Sequence, residues 1–308
     1  MADWQVKTPI ALIIFNRPDT TEKVLEAIRK AQPSKLLVIA DGPRPDRAGE
    51  AAKCAAARAI IDRVDWDCQV LTNYSDINLG CKNRVSSGLD WVFNTVEEAI
   101  ILEDDCLPHP TFFRFCDELL EKYRDDKRIM CVSGTSYQFG KKVTDDSYYF
   151  SRYPHIWGWA TWRRAWQYYD IEMKLWPQLR EGDFLKDMLI ETEAVNAWKS
   201  AFQVSYDNTV NNWGFRWTYA CWVQNALSIT PKENLVSNIG FGEDATHTSN
   251  ANSQTANMSV VAMSFPLKHP EGVIRNWPAD RVTQNVCYDY APSVLKRVKR
   301  RIKKVLKV

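Results

Sequence analysis

The sequence predicts an α/β fold, a mostly parallel sheet flanked by helices. Short apolar runs recur along the first 135 residues, segments with helical periodicity separate them, and most of the runs end at turn-forming or polar residues. Residues 9–15 (Pro-Ile-Ala-Leu-Ile-Ile-Phe) form a run suited to a strand buried on both faces. Asn16-Arg17-Pro18-Asp19 ends it, and Thr20-Thr21-Glu22 opens an amphipathic helix to about Lys30. Leu36–Ala40 is the second strand, stopped by Asp41-Gly42-Pro43, and an Ala-rich helix spans roughly 47–63. Cys68–Leu71 gives a third strand, and Asn78-Leu79-Gly80 precedes a helix from about Lys82 to Asn94. Glu98–Leu102 is the fourth strand, Pro110–Tyr123 a helix, and Ile129–Gly134 a further strand. Beyond about residue 145 the alternation fades into a stretch rich in Trp and Tyr.

Composition narrows the function classes. The net charge of +2 hides an asymmetry, because residues 296–307 carry eight Lys and Arg and no acid. Setting those eight apart leaves 32 basic against 38 acidic residues, so the body has no nucleic-acid footprint. The eight cysteines are scattered without a C-x-x-C pair, which excludes a zinc knuckle and fits reduced thiols in a cytoplasm. The first residues lack the shape of a signal peptide, and nowhere do 18 apolar residues run together, so neither secretion by that route nor a membrane span is expected. Thirteen Trp, twelve Tyr and twelve Phe exceed what a core needs, and part of them reads as sugar- or base-binding wall.

Glu103-Asp104-Asp105 follows the fourth strand directly, at the end where open α/β sheets place their ligands. Three consecutive acids repel one another unless a cation sits among them. Mg²⁺ or Mn²⁺ suits carboxylate oxygen combined with the oxygens of a diphosphate. Strand alternation lets at most two of the three reach one ion.

The stretch from Ile101 to Phe113, Ile-Leu-Glu-Asp-Asp-Cys-Leu-Pro-His-Pro-Thr-Phe-Phe, resembles the acidic metal motif of GT-A-fold (Rossmann-like) glycosyltransferases. It is similar above all to the N-acetylglucosaminyltransferase I family, where an Glu-Asp-Asp run is likewise followed by a Pro-x-Phe-Phe helix start. The likeness continues at Cys131-Val132-Ser133-Gly134, Trp157-Gly158-Trp159 and Ile239-Gly240-Phe241-Gly242, covering most of residues 8–248. The chain also resembles bacterial family-2-like transferases of surface-polysaccharide clusters. This implies a catalytic domain over 1–248, with a nucleotide-sugar half to about 135 and an acceptor half over 136–248. A C-terminal extension (249–290) and a basic helix (291–308) follow.

The resemblance further implies that Asp105 contacts the metal while Glu103 and Asp104 hold the sugar or ribose. Arg17, Asp41, Asn78, Gly80 and Arg84 fall where the nucleotide would lie, with a helix N-terminus open to phosphate. His247 is the candidate second metal ligand. His155, Trp157, Trp159 and Trp213 read as the acceptor side, with aromatic faces for a sugar ring.

The chain departs from the family at the general base. Gly214 follows Trp213 where the family carries Asp, and a transfer with inversion needs a carboxylate or His at the acceptor hydroxyl. Asp244 and Asp207 are the candidates, with Glu243 behind them. The expected activity is transfer of a hexosyl or N-acetylhexosaminyl group from a nucleotide-diphosphate sugar, by default UDP-linked, to a glycan or lipid-linked glycan. A non-catalytic nucleotide-sugar or polysaccharide binder and a glycoside hydrolase stay open as alternatives.

From Val294 onward, apolar residues fall at 294, 295, 298, 302, 305 and 306, which is one stripe of a helix whose other face is Lys and Arg. Such a helix is expected to lie on an anionic cytoplasmic leaflet, each basic residue near the surface contributing about 1 kcal/mol. Liposome sedimentation checks this. Truncation after Pro292 should release the protein from anionic vesicles at low salt, and full-length protein that ignores such vesicles would refute the anchor.

Overall fold

The computed structural model describes residues 4–241 and 254–288. The 294–307 stripe, Asp244 and His247 lie outside those residues. The first half builds as β1 (Ile10–Ile14), α1 (Pro18–Ala31), β2 (Lys35–Ala40), α2 (Glu50–Ala59), β3 (Gln69–Tyr74), α3 (Gly80–Thr95) and β4 (Glu98–Glu103). Then come β5 (Cys106–Pro108), α4 (Thr111–Lys122), β6 (Ile129–Ser133), β7 (Tyr148–Ser151) and β8 (Trp159–Trp162). The second half adds α5 (Arg163–Trp166), α6 (Trp176–Leu179), α7 (Phe184–Met188), α8 (Thr192–Tyr206), α9 (Gly214–Val223), β9 (Leu227–Pro231), β10 (Val236–Asn238) and α10 (Trp277–Cys287).

Eight strands form one mixed, mostly parallel sheet in the order β3-β2-β1-β4-β8-β6-β9-β7, flanked by helices. β8 runs against both β4 and β6, and β7 runs against β9; the other neighbouring pairs are parallel. β1 is buried along its whole length and β2 at every residue after Lys35, as strands covered by helices on both faces must be. α1 begins at Pro18, earlier than the sequence suggests, because proline's fixed φ and missing N–H suit the first helical position. α2 is shorter than expected, its last turn tightening into a 3₁₀ turn over Ile61–Arg63.

β7, β8 and β9 are the strands that periodicity does not announce. β8 is buried at all four residues, with Trp159 opposite Ile101 and Trp162 opposite Glu98. Trp159 stacks on Trp213 at 5.7 Å and leans on Trp217 at 5.4 Å, while Trp166 meets Trp217 at 5.4 Å. This tryptophan cluster is the hub of the second half's core. Much of the aromatic excess is therefore packing.

Residues 257–263 run past the β10 region and the start of α4, and residues 268–288 are laid on the sheet edge at β7. Asp280, buried, accepts hydrogen bonds from Ser151 Oγ (2.6 Å) and the Arg152 N–H and pairs with Arg275. Gln138 donates to the Ala279 carbonyl at 3.1 Å, and the Asn276 side chain caps α10. No helix among the described residues is long and apolar enough to cross a membrane. Asp280→Ala should cost about 3 kcal/mol, because the Ser151 hydroxyl and the Arg275 guanidinium lose their buried acceptor. Denaturant unfolding reads the loss, and an unchanged midpoint would show that the edge does not depend on Asp280.

Candidate functional site

β1, β2 and β4 lie side by side and point the same way, with Ile14 opposite Ala40 and Ile13 opposite Glu103. Their carboxyl ends bring Arg17, Asp41 and the Glu103–Asp105 run together at the strand where the order of the sheet reverses. A cleft of about 300 Å³ opens there, lined by these residues, by Asn78, Gly80 and Arg84, and on the far side by Ile156, Trp157 and Trp213.

The acidic floor is crowded and under-compensated. Arg17 Nη1 donates to Asp105 Oδ2 at 2.7 Å and lies 3.9 Å from Asp104 Oδ1. The second oxygen of Asp105 accepts from Asn238 Nδ2 at 3.2 Å, and Asp104 Oδ2 accepts the Phe15 N–H at 3.0 Å. The Glu103 carboxyl accepts no hydrogen bond among the described residues. Burial, with Asp105 and Asp104 beside it, pushes Glu103 up to about 8. Burial and Asp105 push Asp104 up to about 7, against the opposing pull of Arg17 and the Phe15 N–H. Three carboxylates against one paired arginine thus hold on to protons that a cation would displace, and they form a donor set of hard oxygens that fits Mg²⁺ or Mn²⁺. Three His, Cys, Asp or Glu groups converging as a complete ligand cage are absent among the described residues, so an ion here would need further oxygens from its ligand.

Asp41 is buried and saturated. Its carboxylate accepts the N–H groups of Gly42, Leu79 and Gly80 (2.9 Å each) and the Asn78 side chain (3.2 Å). Lys82 N–H, one turn on, goes to Asn211 Oδ1 at 2.7 Å. This narrows the expectation of a helix N-terminus open to phosphate, because Asp41 and Asn211 take the Gly80 and Lys82 amides at the start of α3. Gly80 has a positive φ of 76°, and a Cβ there would strike the Asn211 side chain, so the turn accommodates glycine alone. Arg84 is likewise committed. Its guanidinium bridges the Ala40 and Asn73 carbonyls, tying the ends of β2 and β3 beneath the cleft, and burial lowers its pKa.

The remaining predicted residues divide. Trp157 stands half-buried at the cleft, edge-on to Phe241 (5.7 Å), and Trp213 lines the same wall while its other face stacks on Trp159. Trp159 itself is wholly buried, a core residue and no wall of the cleft. His155, expected on the acceptor side, is also buried off the cleft. Burial pushes its pKa down to about 3, so it is neutral, and its Nε2 meets no hydrogen-bond partner among the described residues. Asp207 is set apart too: exposed at the end of α8, it holds Gln203 at 2.9 Å and does not line the cleft, which removes it as a base. Gly214 opens α9, where a Cβ would meet the Ile156 methyl at 2.7 Å.

Sequence reasoning missed several cleft residues. Arg44 is held by the buried Glu50, which also accepts from Asn16 (2.9 Å), and its guanidinium lies 5.6 Å from the Phe15 ring. Asn238 reaches Asp105 because β10 pairs antiparallel with β5, setting Asn238 opposite Cys106. Gly240 follows, and a Cβ there would collide with both Asp105 Oδ2 and Arg17 Nη1. Only the Gly in Ile239-Gly240-Phe241 hinted at this close approach.

No family model matches the chain, and no curated protein sequence does. Solved structures do. One, UDP-glucose pyrophosphorylase in complex with UDP-glucose, aligns at 11% identity with a TM-score of 0.26 over 48% of this chain and 64% of that one. The chain thus spans under two thirds of that enzyme's length, and the overlap is too low to transfer any residue's role.

Glu103→Gln tests the surplus charge in metal-free protein. A carboxylate raised in the folded state costs stability as pH rises from the ordinary carboxylate range toward 8. The variant should therefore melt with wild type near pH 4.5 and several degrees above it by pH 8.5. Equal melting differences at both pH values would refute the uncompensated charge.

Proposed function

We propose that this chain is a divalent-metal-dependent glycosyltransferase, moving a sugar from a nucleotide-diphosphate donor to a glycan or lipid-linked glycan. The observation that carries this reading is the convergence of Arg17, Asp41 and three adjacent carboxylates at the ends of β1, β2 and β4, facing an aromatic wall across one cleft. Size agrees, since about 300 Å³ is at the lower end of small-molecule sites and leaves the acceptor to enter from the open side.

In this reading Asp105 holds Mn²⁺ or Mg²⁺, which when bound supplies positive charge against the departing diphosphate. Glu103, with its lone pairs unspent, accepts hydroxyls of the donor sugar or ribose, and Asp104 fixes the floor to β1 through Phe15 N–H. Asp41 acts through Leu79 and Gly80, holding the loop before α3 and with it Asn78 at the nucleotide end. Arg44, stiffened by Glu50, lines that end as well. Trp157 offers a ring face or edge to the sugar. Asp244, with Glu243 behind it, is the candidate for the base that takes the acceptor proton. UDP is the default nucleotide, and the tail would dock the enzyme on an anionic membrane that carries its acceptor.

A second reading, binding of a nucleotide sugar without transfer, draws on one observation. Among the described residues, the cleft's carboxylates are Asp41 and the Glu103–Asp105 group, all at the strand-end floor, with none on the Trp157 wall. The same one-sided placement disfavours a hydrolase, whose two carboxyls flank the scissile bond.

Nucleotide release from sugar nucleotides with Mn²⁺, with and without glycan acceptor, separates the readings. Transfer should appear, and Asp105→Ala should lower it by about 100-fold or more in protein that still folds. Full turnover in that variant or in excess chelator would overturn the metal-dependent reading. Tight nucleotide binding without turnover would favour the second.

A further inference from the structure

Arg17 stands where a metal ion would have to arrive. Its Nη1 is 2.7 Å from Asp105 Oδ2, a full ionic hydrogen bond, and the pair is largely shielded, with the two side chains 18% and 12% exposed. The opposite oxygen of Asp105 is already engaged by Asn238. The pair is built into the fold from three directions. Arg17 is the N-cap residue of α1, its carbonyl accepting the Thr21 N–H (3.0 Å) and hydroxyl (2.7 Å), so its backbone is anchored at the start of the helix. The Asp105 carbonyl accepts the Ile239 N–H at 2.8 Å. Gly240 then passes so close that any Cβ would press on both partners.

We propose that Arg17 is a mobile placeholder: it neutralises Asp105 while no cation is bound and moves to the donor's diphosphate when one is. This rests on the reading of the preceding subsection. A cation coordinated to Asp105 Oδ2 would sit about 2.1 Å from that oxygen, which crowds it against a guanidinium nitrogen bonded to the same atom. Two like charges at that separation in a shielded site repel strongly, so Arg17 leaves as the ion enters. The natural landing place for the displaced guanidinium is the anionic group that arrives with the ion, since arginine matches phosphate oxygens with two parallel N–H donors. Arg17 therefore makes the empty site resist metal alone and accept metal with nucleotide, so each strengthens the other's binding by the same factor.

The test measures Mn²⁺ binding directly, by the electron paramagnetic resonance signal of free Mn²⁺, with and without UDP, in wild type and Arg17→Gln. Wild type should bind Mn²⁺ weakly alone and tenfold or more tightly with UDP. Arg17→Gln should bind Mn²⁺ alone at least tenfold better than wild type and gain much less from UDP. Unchanged or weaker binding of Mn²⁺ alone by Arg17→Gln would overturn the placeholder while leaving the transferase reading standing. Wild type that binds neither Mn²⁺ nor UDP, separately or together, would instead sink that reading and the placeholder with it. A crystal structure of wild type with Mn²⁺ and UDP gives a check independent of the variant's folding. Arg17 should have left Asp105 for a phosphate oxygen, and an Arg17–Asp105 pair still at about 2.7 Å would refute the proposal.

Discussion

Three carboxylates in a row at the end of a buried strand set the terms for everything around them. β4 is buried from Ala99 to Leu102, so its last residue and the two that follow emerge from the sheet without reaching bulk water. The fold answers each acid differently. Asp104 receives a backbone N–H from the neighbouring strand end, Asp105 receives an arginine and an asparagine, and Glu103 receives neither. Charges a few ångströms apart in a shielded site interact by several kcal/mol, so the residual imbalance is a force for drawing in a cation. The same imbalance costs stability in the metal-free protein at neutral pH.

A second constraint is how the chain keeps its crossovers from blurring this geometry. Asp41 takes the leading amides of α3, and the Arg84 side chain, one turn into that helix, returns to the carbonyls at the ends of β2 and β3. The helix is thus locked to the strands at the level of the cleft, in both polarities of hydrogen bond. Glu50 does the equivalent on the other side, where α2 meets the loop after β2, by gripping Arg44 and Asn16. Both acids are buried and both are spent on positioning. A carboxylate at the end of a strand is therefore not by itself a ligand contact, and burial with full hydrogen-bond satisfaction separates the two roles.

That distinction explains which parts of the protein were legible in its sequence. β1, β2, β4 and β6 were readable because each carries a run of apolar residues, β3 because Val70-Leu71 falls between two helical segments, and each helix carries one apolar face. The acidic run was readable because its placement after β4 is a local fact. The roles of Asp41 and Arg84 were not, since a saturated carboxylate and an exposed one look the same in a string of letters. β7 and β8 resisted for a different reason: four-residue strands rich in Tyr and Trp have no period to show, and only their partners across the sheet define them. Trp159 and His155 were misplaced by the same ambiguity, because an aromatic stretch with polar neighbours reads equally as a binding wall or as a core. Asn238 and Gly240 lie more than 130 residues from Asp105, and only the β5–β10 pairing brings them to it.

The aromatic half then takes on a particular physical role. Trp213 shares one face with the Trp159–Trp217 core and turns toward the cleft, so the wall opposite the acids is an extension of the most tightly packed part of the molecule. Trp157 continues that wall through edge contacts to Tyr137 and Phe241. A rigid apolar wall facing a charged, adjustable floor divides the work of recognition. In the proposed reading the wall accepts a sugar or base through its face without reorganising, whereas the floor exchanges one cation for another before an anionic ligand settles. Specificity for the uncharged part of a ligand therefore rests in packing that is set when the chain folds. On the placeholder proposal, affinity for its charged part would rest on a rearrangement of a few side chains, with Arg17 and Asp105 at its centre.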